Sequence, residues 1–294
     1  MQVSPRQYRV VAVGALIALA IIIVTGAAVR LTNSGLGCDD WPRCSSTKLI
    51  DVSSKHAAIE QINRLFTGVV GVAVIAAVLA SMFRVPRRRD LTILSWGLVA
   101  GVVGNAVLGG ISVKYDLHPM LIQGHLLLSM ALIVTATVLV RRAGEADDAI
   151  RVPAVSRPSE RLTWLLFGVM AIAVFTGTIV TGAGPHAGDE DAERLDVAIP
   201  TIARIHGTTV TIALAVALLI AWRIRSHPGD RAALANVMSM WIFVGALQAA
   251  VGYIQYFNEV PAALVGIHVA GATLIMFVTT RVVLDTRIAR PAVI

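Results

Sequence analysis

Only 15% of the 294 residues are charged, 56% are hydrophobic, and the mean hydropathy is +0.75. A soluble domain carries about a quarter charged residues, so the composition excludes a soluble protein and points to an integral membrane one. The net charge of +7 and pI near 10.1 do not indicate a nucleic-acid partner, because most of the basic residues sit at junctions between apolar blocks.

In chain order, eight apolar blocks predict eight membrane-spanning helices, at about 10–29, 58–83, 91–113, 119–140, 162–183, 201–222, 234–256 and 261–283. Each is close to the roughly 20 residues that cross a bilayer as a helix, the form in which backbone groups satisfy one another away from water. The first block is too long and too poorly terminated for a cleavable signal peptide and is read as retained. Arg6 and Arg9 precede it, and "RLTNSGLGCDDWPRC" (30–44), which holds both cysteines, Cys38 and Cys44, follows it. "RVPRRRD" joins spans two and three, Arg141 through Arg161 join four and five, Arg223, Arg225 and Arg231 join six and seven, and Arg281, Arg287 and Arg290 close the chain. With the N-terminal pair these segments hold 17 of the 25 basic residues, so the positive-inside bias places them, and both termini, in the cytoplasm. Trp96, Trp164, Trp222 and Trp241 fall near the same ends, as an interfacial belt does. The cysteine loop, the Lys114–His118 turn, the "GDEDAERLD" loop and the turn at Glu259 then lie outside a multi-pass protein of the cell membrane. A disulfide persists on that side; a structural staple and a redox pair both fit so small a loop.

A weak repeat relates the two halves. An offset of 142 aligns Gly110 with Gly252, Pro119 with Pro261 and Gly124 with Gly266, while 143 aligns Ile59 with Ile202, Ile62 with Ile205, Asn63 with His206 and His125 with His268. The expected fold class is all-α, with eight transmembrane helices arranged as two pseudo-symmetric four-helix bundles. An N-terminal half spans 1–142, a cytoplasmic linker 143–160 and a C-terminal half 161–294. Parallel repeats also occur in transporters, but no helix broken around a midplane site is evident.

Of the seven histidines, His125, His206 and His268 stand inside spans, where an ionisable group marks a functional site. His125 and His268 lie roughly 9 to 11 Å along their helices from Pro119 and Pro261, and Asn63 and His206 sit at similar depths. Two imidazoles facing across a bundle suit axial ligation of haem iron, whereas a structural zinc wants more ligands and usually thiolates. The second half offers the full pair His206 and His268; the first offers His125 opposite Asn63, which suits an exchangeable substrate rather than a fixed cofactor. His56, roughly 10 Å from Asn63 along the helix, is the lesser alternative. His118, His186 and His227 fall in loops and are expected to be solvated. Glu60 shares a helix face with Asn63 and has Arg64 four residues on, so a structural salt bridge and a catalytic carboxylate are both open. Arg64, Arg30 and Arg204 suit either haem propionates or an ordinary structural role. The rival is a dihaem electron-transfer protein of the cytochrome b561 type, which would place haems near both membrane faces.

The stretches "TGAAVRLTNSGLGCDDWPRC" (25–44), "IEQINRLFTG" (59–68), "GHLLLSMAL" (124–132), "IHGTTV" (205–210) and "GIHVAGA" (266–272) resemble the haem A synthase family. The resemblance implies oxidation of the C8 methyl of haem O to a formyl group by successive hydroxylations, for cytochrome oxidase biogenesis. It implies haem b, with its iron, on His206 and His268, and substrate haem O in the first half with His125 as a ligand. It also implies Glu60 as the catalytic carboxylate and Cys38 with Cys44 as the loop's cysteine pair. The family usually reads Glu-x-x-His-Arg where this chain reads Glu60-Gln61-Ile62-Asn63-Arg64, so Asn63 replaces an expected histidine. "TGAGPHAGD" stands where some relatives carry a second cysteine pair. A substrate this hydrophobic suggests a site open to membrane lipid and an association with haem O synthase, the protohaem farnesyltransferase; a quinone or other acceptor would take the electrons.

Overall fold

The computed structural model describes residues 2–291. Its eight long helices are each long and apolar enough to cross a membrane: α1 (Pro5–Leu31), α2 (Lys55–Phe83), α3 (Arg89–Lys114), α4 (Pro119–Ala143), α5 (Arg157–Ala183), α6 (Ile199–Ile224), α7 (Pro228–Phe257) and α8 (Ala262–Leu284). All eight predicted spans are present. Most run a few residues further, because caps and prolines, rather than hydropathy, set their ends. Ser4 and Gln7 form a capping box at α1 and Ser54 caps α2. Prolines stand in the first turn of α4, α5, α6 and α7, where a missing N–H costs nothing.

Helices α1 to α4 close a ring of neighbours, α5 to α8 close another in the same order, and α1, α4, α5 and α8 form the seam between them. Leu19, Leu98, Ile133, Leu166, Ile220 and Met238 are buried in the packed interior, while Val72, Trp222 and Phe243 face outward. Exposed apolar side chains along every helix are what a lipid-facing surface presents.

Four loops meet at one end of the bundle, hereafter the disulfide end. Gly35 N–H donates to the Gly188 carbonyl (2.8 Å), Leu117 packs with Ala187 and Ala192, and His186 reaches the Val260 carbonyl. Ion pairs knit the opposite, basic end: Arg84 to Asp147 (2.6 Å), Arg141 to Asp285 (3.1 Å) and Arg151 to Glu145.

Two expectations need correction. The 143–160 segment is more than a connector, because β1 (Ala149–Pro153) pairs antiparallel with β2 (Arg287–Pro291) and sews the end of the chain to its middle. The all-α class therefore carries one short ribbon, whose five-residue strands are too brief to register against 20-residue apolar blocks. Trp241 also leaves the interfacial belt. It is 2% exposed and donates Nε1–H to Thr279 Oγ1 at 2.8 Å, whereas Trp96, Trp164 and Trp222 are exposed.

The same turn joins α3 to α4 and α7 to α8. Asp116 and Leu117 in one, and Glu259 and Val260 in the other, take left-handed conformations. Leu117 N–H donates to Ser112 O and Val260 N–H to Gln255 O, both at 2.8 Å. Equivalent residues here are 143 apart, so that offset extends along α3 and α7, and the pairing of Gly110 with Gly252 gives way to Gly109 with Gly252.

Candidate functional site

A cavity of about 550 Å³ opens among α1 to α4 beneath the disulfide loop. Apolar side chains such as Leu19, Ile23, Val70, Val102 and Leu126 form its walls, and Glu60, Gln61, Asn63, Arg64, Asn105 and His125 supply polar groups. This is the size and texture of a site for a bulky, mostly apolar ligand.

The roof of the cavity is held by charge. Cys38 and Cys44 are bonded (S–S 2.01 Å) and buried against Ala57. The loop passes so close to the start of α2 that a Cβ on Gly37 would strike the His56 carbonyl, so only glycine fits. Glu60 Oε2 accepts the Cys38 N–H at 2.8 Å, and Oε1 accepts Arg64 Nε at 2.9 Å and Nη2 at 2.5 Å. Arg64 Nη1 donates in turn to the carbonyls of Asp40 (2.9 Å) and Arg43 (3.0 Å). Of the two roles open for Glu60, the salt bridge is present, and the carboxylate borders the cavity as well. Trp41 lies flat enough on α3 that a Cβ at Gly110 would come 2.7 Å from its Cε2. Further along the loop, Asp51 is held down at about 2 by the Ser53 hydroxyl and N–H and by Lys48, so this exposed corner stays ionised.

Each of the three partly buried histidines inside a span rests on a glycine of the preceding helix. A Cβ would stand 3.4 Å from His125 Cε1 at Gly109, 3.0 Å from His206 Cε1 at Gly177, and 3.2 Å from His268 Cε1 at Gly252. His206 Nδ1–H donates to the Ala173 carbonyl at 3.0 Å, with Thr176 Oγ1 at 3.3 Å, which fixes the tautomer and leaves Nε2 bare. The matching contact in the first ring is Thr25 Oγ1 to Asn63 Oδ1 at 2.9 Å. Gln248 Nε2 donates to the His268 carbonyl at 2.7 Å; 143 residues earlier, Asn105 reaches the His125 carbonyl through the Ser129 hydroxyl, at 2.8 Å per step.

The rings of His206 and His268 stand 6.3 Å apart between centres, at 75° to each other. An iron bound by two ring nitrogens at about 2.0 Å puts the ring centres about 6 Å apart. Among the described residues no three His, Cys, Asp or Glu side chains gather around a bare-ion site. A two-nitrogen pair at this spacing fits a metal whose other ligands come from a macrocycle.

Not every candidate joins the site. His56 is exposed and bonds Ser34 Oγ at 3.0 Å, and Arg204 is exposed. His118 caps α4 and His227 bonds the Arg223 carbonyl. His186, expected to be solvated, is instead partly buried in the cavity wall, with Nε2 on the Val260 carbonyl at 2.8 Å. Arg30 lines the same cavity and donates Nη2 to the Thr181 carbonyl at 2.7 Å. Thr25, Trp41 and Asn105 join the site without having stood out in the sequence, where the Thr-Gly pairs 25–26 and 176–177 are the available signal.

The family described as cytochrome oxidase assembly protein (COX15-CtaA) matches residues 9–280. Among curated relatives, a "Heme A synthase" of Exiguobacterium sibiricum is 28% identical over 56% of each chain. One of Lysinibacillus sphaericus is 25% identical over 58% of this chain and 56% of its own. In these two the match spans little more than half of the relative's length, whereas one of Bradyrhizobium diazoefficiens is 26% identical over 90% of this chain and 87% of its own.

Proposed function

The chain belongs to the cytochrome oxidase assembly protein family, and from that premise we propose that it is a haem A synthase, oxidising the C8 methyl of haem O to a formyl group by successive hydroxylations. The observation that carries the reading is the 6.3 Å separation of His206 and His268, which would hold haem b. Haem b, when bound, supplies one-electron redox chemistry. The Ala173 carbonyl orients His206 for that task, and Gln248 ties the backbone of His268 to α7.

In the first half, His125 would bind haem O within walls that exclude water, and Asn63 would border the opposite side without gripping the iron. A weak second ligand suits a substrate that must leave as product. Glu60 borders this cavity, and its carboxylate would accept and pass on protons while Arg64 holds it in position. In the membrane arrangement proposed, two pseudo-symmetric halves joined by 143–160 lie in the plasma membrane, with both termini cytoplasmic and the disulfide loop extracytoplasmic. Haem O synthase and a quinone or other acceptor are the proposed partners. The dihaem-carrier alternative gains no support from histidines that all sit toward the disulfide ends of their helices.

The test is mass analysis of acid-extracted haems from the purified protein, co-expressed with a haem O synthase. Haem A, or its hydroxylated precursor, is expected alongside haem b. Haem b alone despite abundant haem O would sink the enzyme reading and favour the electron carrier.

A further inference from the structure

The loop between α5 and α6 crosses from the second ring of helices to cover the cavity of the first, and it brings His186 into that cavity's wall. His186 lines the cavity; because a carbonyl only accepts, its Nε2–H is the donor to Val260, and its Nδ1 has no partner among the described residues. Arg30 stands close by, its Cγ 3.6 Å from where a Gly188 Cβ would lie, and its Nε is buried with no hydrogen-bond partner among the described residues. Arg194 is near enough to repel Arg30 and, among the described residues, bonds only the carbonyls of Ala192 and Pro185. Among the described residues neither arginine pairs with a carboxylate. Glu193 borders a small adjoining cavity with Arg30, but its side chain is 69% exposed and its ion-pair partner is His118, at 3.7 Å.

A partly buried guanidinium whose Nε is shut off from solvent and faces no counter-charge attracts an anion. Depth says where that anion belongs on a ligand. His125 is six residues into α4, about 9 Å from its start, whereas His186 sits beside Val260, just ahead of α8. A flat ligand centred on His125 therefore turns one edge toward His186 and Arg30.

We propose that His186 and Arg30 form a carboxylate-binding end of the first-half cavity, which selects tetrapyrroles with free propionates and sets them edge-on under the disulfide loop. The inference rests on the haem reading above. In the complex proposed, the ring donates from both nitrogens, Nε2–H to the Val260 carbonyl and Nδ1–H to the arriving carboxylate. The second ring of helices thus contributes directly to the substrate site of the first.

The test titrates the full chain, already carrying haem b, with ferric protoporphyrin IX and with its dimethyl ester, using the His125→Ala variant as the blank for difference absorbance. The unmodified protein is expected to prefer the diacid about tenfold or more. His186→Phe should keep its affinity for the ester and lose most of that preference, and His186→Gln should fall between. Retained haem b absorbance reports folding, and His186→Gln carries the test if His186→Phe does not fold. Equal affinity for diacid and ester in the unmodified protein, or an undiminished preference in the variants, overturns the inference and leaves the haem reading standing. A changed iron spin state in His186→Phe would make His186 an axial ligand, which also overturns it. Failure to bind either tetrapyrrole overturns both.

Discussion

The backbone N–H of Cys38 donates to the Glu60 carboxylate at 2.8 Å, so the residue that borders the cavity also anchors the disulfide loop above it. Arg64 completes the clamp by spanning from Glu60 to the carbonyls of Asp40 and Arg43. One ion pair thereby joins the architecture of the roof to the chemistry proposed beneath it.

Two substitutions at Glu60 separate those duties. Glu60→Gln keeps an acceptor for Cys38 and most of the shape, so the loop should stay in place and haem b should be retained while haem A formation collapses. Glu60→Ala strands Arg64 and should additionally cost about 3 kcal/mol, read as a lower melting temperature and faster reduction of the disulfide. Normal haem A yield from Glu60→Gln would leave the carboxylate with the structural duty alone.

Replacing Cys38 and Cys44 together by serine opens a loop with a sequence separation of 6, which should cost about 2 kcal/mol. Haem b content should be unaffected, because His206 and His268 lie on α6 and α8, outside the roof. Haem A yield is expected to fall as Trp41 and Glu60 lose their fixed positions. Full yield with an unchanged melting temperature would make the bridge dispensable.

Asn63 accepts from Thr25 where its counterpart His206 sits by Thr176. Asn63→His should therefore place an imidazole opposite His125 and trap a tetrapyrrole that the proposed reaction would release. The measurement is the haem-to-protein ratio by pyridine haemochrome, expected to rise toward two. A ratio that does not move would mean that position 63 does not face the bound iron.

Gly177→Ala tests the second pair without touching either histidine. Its Cβ would lie 3.0 Å from His206 Cε1, closer than the 3.2 Å at Gly252 against His268. The imidazole must tilt or withdraw, so haem b occupancy should drop and the low-spin signal in electron paramagnetic resonance should broaden, with Gly252→Ala milder. Spectra unchanged in both variants would remove these histidines from the iron.

Much of the architecture was legible in the chain. Eight apolar blocks, alternating arginine-rich junctions and one cysteine loop dictate eight helices whose ends alternate, because hydropathy and backbone satisfaction in lipid act locally. The histidines at positions 125, 206 and 268 were likewise visible as costly residues in apolar surroundings. What depended on tertiary structure was which groups meet. The ribbon of β1 with β2, the burial of Trp241, the grip of Glu60 on Cys38, and the arrival of His186 in a cavity built by the other half all join residues far apart in sequence. Such contacts leave no periodicity behind. A loop histidine becomes a wall of the site only when packing at the seam folds its loop inward, and that choice is made by the whole set of helices rather than by any stretch of the chain.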